Sequence, residues 1–557
     1  MTNHVGIDVG GTFTDAVLLE ENKIVDKAKI PTNTDDLLHT VMTTLEKLGV
    51  TGKKPVDKIT VSTTLVTNAI LQGNLPQVKL CLFHGYGMKL EALHWPVPYH
   101  ILSGIIDYRG REIKAPVETE WEQLSSDLAS NKENITRVAI VGKFSHRNKT
   151  HEEQLAAYLQ KHNPDLQIAL GHHWGQANFY RRSLTTYLNL ASHDLYRQFA
   201  ANLRKAVESE GCHAPISVLK ADGGALPLAS IRPVDSIFSG PSASVLGALA
   251  QSEESESFVV VDIGGTTTDL GIVLSGVPLM SSKGAKIDAF STLVHSLAVR
   301  SVPVGGDSQI LKKGEGFAIT NYRSGPAYCL GGNVPTPTDA MCYLKLVNYG
   351  NWVQAEEALA SLLPPQHREP ADLHNLAETI LETAAEKIAL EIEELSKEWQ
   401  SEPAYKVWEV LHPQEAIKFK IFISGGGAQG LAPFLEKRLK SKVILGSYAE
   451  VSNAIGTALA KPTFSWTLQL DTGRKFYQIE ETGEQGEWQG SRRPHNEVAP
   501  FLTELARTQA VEKGIDQADL QLANFDYFPI VQGYQTVGQI VRGAIHVPPG
   551  VRGRVQA

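Results

Sequence analysis

One aspartate–glycine–threonine pattern occurs twice in this chain with the same spacing. Val5-Gly-Ile-Asp-Val-Gly-Gly-Thr-Phe-Thr-Asp15 precedes an apolar run, and Val259-Val-Val-Asp-Ile-Gly-Gly-Thr-Thr-Thr-Asp269 precedes another. Both contain Asp-x-Gly-Gly-Thr-x-Thr-Asp. Apolar β-type residues on each side predict two β-hairpins. The paired glycines supply a tight turn and strip away side chains, so backbone N–H groups can approach an anion. A plain hairpin turn explains the glycines but not the repeated acids and hydroxyls. Asp8 and Asp262 close their first strands, and Thr12 and Thr266 add hydroxyls beside each turn. Facing one another across a cleft, Gly10, Gly11, Thr12, Thr14, Gly264, Gly265 and Thr266 would hold a triphosphate. Asp15 and Asp269 either fix the hairpin shape or take part in chemistry.

A third glycine turn lies far downstream. Lys418–Ser424 reads as a strand, Gly425-Gly-Gly-Ala-Gln-Gly430 as the turn, and Leu431–Leu439 as a short amphipathic helix with Pro433 in its first turn. Gly425, Gly427 and Gly430 also match Gly-x-Gly-x-x-Gly, with Glu450 where a dinucleotide site would place its ribose acid. Taken with the two hairpins, the turn reads better as a nucleoside-side loop, with Gly425, Gly426 and Gly427 facing the nucleoside. The order phosphate hairpin, phosphate hairpin, nucleoside loop resembles the superfamily of sugar kinases, heat-shock ATPases and actin.

The segments between the turns narrow this likeness. Ser62-Thr-Thr-Leu-Val-Thr-Asn-Ala-Ile70, Ser145 with Asn148, His151 and Glu152, and Arg182 with Thr185, Thr186 and Asn189 resemble blocks of the hydantoinase/oxoprolinase family. So do Asp222-Gly-Gly224, Phe238-Ser-Gly-Pro241, Gly325-Pro-Ala327, Pro337-Thr-Asp-Ala340 and Ser452-Asn-Ala-Ile-Gly456, and the resemblance covers about residues 4–460. It implies an α/β, actin-like (ribonuclease H-like) duplicated ATPase fold. It also implies ATP and Mg²⁺, and an ATP-dependent hydrolase that opens a hydantoin- or 5-oxoproline-like cyclic amide. Other outcomes within the fold are a small-molecule kinase, an ATP-dependent ketone carboxylase subunit, and a non-enzymatic actin-like switch. Asp8 and Asp262 would hold the Mg²⁺ and serve catalysis. Asp222 is either a base or metal contact, or the cap of its own Gly-Gly turn. A second, hydantoinase B-type subunit and a homo- or hetero-oligomer are further implications. The chain departs from the family pattern at Ala298–Ser308: the usual acid and histidine are missing, and Asp307 interrupts a run of glycines.

Composition sets the frame for these elements. A chain of 557 residues is too long for one core, so several units are expected. The expected divisions are an N-terminal lobe at 1–190, a second lobe at 191–465 and an appendage at 466–557. A net charge of −9 without basic clusters argues against nucleic acid. No apolar run is long enough to span a membrane, and the N-terminus lacks a signal-peptide pattern, so a cytoplasmic protein is expected. The four cysteines, Cys81, Cys212, Cys329 and Cys342, read as buried thiols. A long helix is predicted over Asp372–Trp399, with its glutamates on a solvated face. The absence of Gly-x-Ser-x-Gly and His-Glu-x-x-His argues against serine hydrolases and zincins.

Overall fold

In the computed structural model, residues 2–33, 37–50, 56–130, 135–314, 316–400, 419–523 and 525–556 are described. Both predicted hairpins are present. Strands β1 (Asn3–Val9) and β2 (Phe13–Glu20) pair antiparallel with Asp8 opposite Asp15. The first sheet continues with β3 (Lys23–Pro31) beyond β2, and on the other side with β4 (Lys58–Thr63), β5 (Ile216–Leu219) and β6 (Ala225–Pro227). Its last two strands lie past residue 190, so this lobe extends beyond the expected boundary. The reason is parallel pairing: β5 needs the buried edge of β4, and the chain between them makes a separate four-stranded sheet.

Helix α1 (Ser239–Gln251) leads into the second hairpin, β7 (Phe258–Ile263) and β8 (Thr268–Leu274), with Asp262 opposite Asp269. Strand β9 (Val299–Val302) pairs with the far side of β8. On the near side, β10 (Lys420–Ser424) runs parallel to β7, with Ser424 opposite Asp262. That register repeats the first lobe, where β4 runs parallel to β1 with Ser62 opposite Asp8. Lys418, expected to open β10, lies outside the described residues.

The long helix α2 spans Pro370–Gln400 and buries Leu373, Ile380, Ala384, Ile388, Ile392 and Leu395 against the second sheet. Leu376, expected on that face, is half-buried. Its glutamates are not merely solvated. Glu386 and Glu393 clasp Arg438, while Glu391, Glu394 and Glu398 surround Arg300. Helix α3 (Ala428–Leu439) begins three residues earlier than expected, inside the glycine turn, so Pro433 falls in its second turn. Helix α4 (Ser452–Leu459) packs across α1 where Gly247 and Gly456 allow the backbones to meet. The C-terminal region adds a sheet built on Phe464–Asp471 and Gln535–Val547, whose apolar face joins the first lobe's core through Trp466, Leu468 and Val541. All four cysteines are free and buried. Among the described residues no helix is long and apolar enough to cross a membrane.

Candidate nucleotide cleft

The tips of the two hairpins face each other. A methyl group placed on Gly265 would lie 3.6 Å from Thr12 Oγ1. At the base of the hairpins, Asn453 Nδ2 on α4 donates to Asp8 Oδ2 at 3.2 Å and to Asp262 Oδ2 at 3.0 Å. One amide group therefore spans the aspartates of both lobes. Each acid has a second donor: Ser62 Oγ for Asp8, and Ser244 Oγ on α1 for Asp262 at 2.6 Å.

Backbone donors divide into two sets. Gly10 N–H bonds Phe13 O, and Gly264 N–H bonds Thr267 O, so both close their own turns. Gly11, Thr12, Gly265 and Thr266 have no such acceptor among the described residues, and they line the gap. These four can present N–H groups to phosphate oxygens. Thr14 cannot. It is fully buried and hydrogen-bonded to Thr32 at 2.9 Å, which pins β2 to the segment after β3. The expectation that Thr14 contacts nucleotide is therefore corrected.

The cleft floor carries excess negative charge. Burial pushes the Asp8 carboxyl up to about 7, with Asp15 and Asp262 adding to the rise against bonds from Ser62 and Asn453. Burial likewise takes Asp269 to about 7, helped by Asp262 and Asp8. Asp15 is also raised by burial, and Lys29 opposes the shift from 2.7 Å. Buried like charges without matching cations favour a bound cation or a retained proton. Among the described residues no three His, Cys, Asp or Glu side chains converge into a metal cage. Two carboxylates beside a phosphate gap nevertheless fit Mg²⁺, which keeps several waters and takes few protein ligands.

The third glycine turn abuts the second hairpin. Gly425 has φ +91°, and a methyl group there would strike Ile263 O and sit 2.5 Å from Asp262 Oδ1. Gly427 N–H bonds Ile263 O, leaving Gly426 exposed at the turn's outer face, with its carbonyl accepting from Tyr349. Glu450, which a dinucleotide reading would aim at ribose, instead pairs with Lys27 of the first lobe at 2.5 Å.

Asp222 caps its Gly-Gly turn. Its buried carboxylate accepts from Gly224 N at 2.9 Å, Lys220 Nζ at 2.8 Å and Thr463 Oγ1 at 2.8 Å, and these donors hold it below the usual range despite burial. The cap is the second of the two roles expected for it, and the same carboxylate ties down Thr463. The other blocks act as clasps. Ser239 Oγ joins Thr63, Phe238 N bonds Thr67 Oγ1, and the fully buried Arg182 holds the carbonyls of Gly142, Lys143 and Gln176. Sequence reasoning gave no role to Ser62, Ser244 or Asn453. Ser62 and Asn453 stood inside quoted blocks, and strand pairing alone would have set Ser62 opposite Asp8.

Two family models match the chain. The hydantoinase/oxoprolinase N-terminal region matches residues 4–163, and hydantoinase/oxoprolinase matches residues 182–465. Caprolactamase subunit alpha of Pseudomonas jessenii is 26% identical over 374 residues, covering 60% of this chain and 53% of that protein. Acetophenone carboxylase gamma subunit of Aromatoleum aromaticum is 24% identical over 417 residues, covering 64% and 56%. The chain thus spans little more than half of either relative. A nucleotide-free acetone carboxylase structure superposes with TM-score 0.75 at 16% identity, covering 100% of this chain and 89% of that one. The architecture is a two-lobed, actin-like ATPase fold around a nucleotide cleft. With one model matching more than half of its length, this chain belongs to the hydantoinase/oxoprolinase family.

Proposed function

We propose that this chain is an ATP-using enzyme that activates a small carbonyl compound by phosphoryl transfer to its oxygen. The observation that carries this is the pair of facing Asp-Gly-Gly-Thr hairpins, joined at their base by Asn453 and holding free N–H donors at their tips. Gly11, Thr12, Gly265 and Thr266 would cradle the phosphates, and Asp8 and Asp262 would hold Mg²⁺ through its waters. Bound Mg²⁺ would neutralise phosphate charge. The Gly426 side of the third turn would face the nucleoside.

The chemistry follows from carbonyl reactivity. Resonance makes an amide carbon a poor electrophile. When the carbonyl oxygen attacks the terminal phosphorus, a P–O bond to that oxygen forms and the bond to ADP breaks. Water adding at the carbon gives a tetrahedral adduct whose C–N bond breaks, so the ring nitrogen leaves as a protonated amine and an acyl phosphate remains. A second water then hydrolyses the acyl phosphate to carboxylate and phosphate. The same activation serves a ketone that is to be carboxylated. One named relative is a caprolactamase subunit and another an acetophenone carboxylase subunit, and a carbonyl is what lactam and ketone share. Because this carbonyl step precedes the branch, the reading covers cyclic amide and ketone alike. Both names denote subunits, so work with a second, hydantoinase B-type chain belongs to the proposal.

The test is phosphate release from Mg-ATP with hydantoin, 5-oxoproline, larger lactams, dihydropyrimidines, and ketones with bicarbonate. It is run with the chain alone and with its second subunit. Release that depends on one class and consumes it supports the reading. Nucleotide binding with no candidate consumed in either setting overturns it in favour of a switch, and a stable phosphorylated product marks a kinase.

A further inference from the structure

Two charged residues, Asp307 and Arg323, stand together at the second hairpin. The loop Gly305–Asp307 lies against the hairpin turn: Gly306 N–H bonds Gly264 O at 2.9 Å, and Asp307 N–H bonds Gly265 O at 2.7 Å. Thr338 fixes the loop from behind through Gly306 O at 2.8 Å. This geometry sends the Asp307 carboxylate to the hairpin tip. A methyl group on Gly265 would lie 2.9 Å from Asp307 Oδ2, and Thr12 Oγ1 of the opposite hairpin is 3.6 Å from the same point. A bare carboxylate here would repel phosphate oxygens.

Arg323 answers that charge. Its Nε donates to Asp307 Oδ2 at 3.2 Å, and the side chain remains about a quarter exposed, at 26%. Among the described residues Asp307 is its one hydrogen-bonded partner, so both terminal amino groups stay available. Gln309 N–H bonds Tyr322 O at 2.9 Å, holding the backbone beside Arg323 in place. The guanidinium is thus anchored by one edge at the place where the two hairpins meet. A planar fork held by one nitrogen and open at two others suits phosphate oxygens.

We propose that Arg323, steered by Asp307, is a catalytic residue that contacts the terminal phosphate of the bound nucleotide. The inference rests on the ATP reading above and adds a residue to it. Asp307 is a positioning residue: it orients the guanidinium and cancels part of its charge.

The test is calorimetric binding of Mg-ATP and Mg-ADP to the full chain. Arg323→Ala should weaken ATP by about tenfold or more and leave ADP nearly unchanged, because ADP lacks the contacted group. Arg323→Lys should recover part of the loss. The control is the double variant Asp307→Gly with Arg323→Ala, which removes the repelling acid as well. ATP binding should stay about tenfold weak there. Full recovery would show that Arg323 only neutralises Asp307, and an equal loss for ADP would place the contact away from the terminal phosphate. Either result overturns the assignment while leaving ATP use intact. Failure of the unaltered chain to bind ATP would instead defeat the functional reading beneath it.

Discussion

Replacing Asp8 by Asn should make the metal-free protein more stable at pH 8 while destroying its nucleotide chemistry. Burial, then repulsion from Asp15 and Asp262, raises Asp8 from its ordinary 3.8 to about 7. Folded protein therefore keeps a proton that the unfolded chain releases near pH 4. The stability from that proton is fully present below pH 4, is lost progressively as pH rises above 4, and is gone once pH passes 7. A rise of about three units is worth about 4 kcal/mol at about 1.4 kcal/mol per unit. Asp269 rises to about 7 in the same field, so the acids titrate as a set and their contributions do not simply add.

Asn cannot ionise, so the variant escapes the loss. It can still accept the Ser62 hydroxyl, but its amide meets the Asn453 amide, and one must turn at a cost of about 1 kcal/mol. The variant should then exceed the parent by about 3 kcal/mol at pH 8 but by less than about 1 kcal/mol at pH 5, where the parent keeps more of its proton. Thermal unfolding midpoints in chelator, read as the difference between the two proteins at each pH, measure this. Mg²⁺ should raise the parent's midpoint at pH 8 and leave the variant's nearly unchanged. A difference that stays constant from pH 5 to pH 8 would refute the charge assignment.

Asp222 and the third glycine turn supply two further tests. Asp222→Ala leaves Lys220 half-buried without its acid and should cost about 3 kcal/mol in denaturant unfolding, with ATP affinity within about twofold of the parent. A selective loss of turnover at unchanged stability would restore Asp222 to the site. Gly425→Ala combines φ +91° with a collision against Ile263 O and Asp262, so it should cost about 1–3 kcal/mol and weaken ATP by about tenfold or more. Gly426→Ala, with open space around it, should keep its unfolding midpoint.

The duplicated hairpins were legible because turn chemistry and strand pattern agree locally. Asp8 and Asp262 followed, since a residue closing the first strand beside a Gly-Gly turn has only one place to go. The lobe boundary was not legible. β5 joins β4 across about 150 residues, and nothing local in Ile216–Leu219 announces that pairing. Thr14 failed for a related reason: its residue type fits a ligand site, but its partner Thr32 comes from another part of the chain. For Asp222 the local turn cap was legible, whereas its bond from Thr463 was not. The glutamates of α2 lie on the solvated face as expected, but their pairing with Arg300 and Arg438 was not legible, because those arginines lie on separate elements.

Where the two halves differ says more about function than where they match. Ser62 and Ser424 hold equivalent positions beside their aspartates, yet only Ser62 bonds its acid. Ser424 Oγ is buried without a partner among the described residues, and Ser244 serves Asp262 from α1 instead. Asp8 is therefore served within its own sheet, whereas Asp262 is held by a helix that also clasps Thr63 of the first lobe through Ser239. A shift of one lobe against the other would move the donor to Asp262 and its bridge to Asp8 together. The second hairpin also carries the Asp307–Arg323 pair, which has no counterpart at the first hairpin among the described residues. Two similar hairpins can grip a symmetric charge, but phosphoryl transfer has a direction. In the proposed reaction, the asymmetry of these supports would set that direction from the second hairpin.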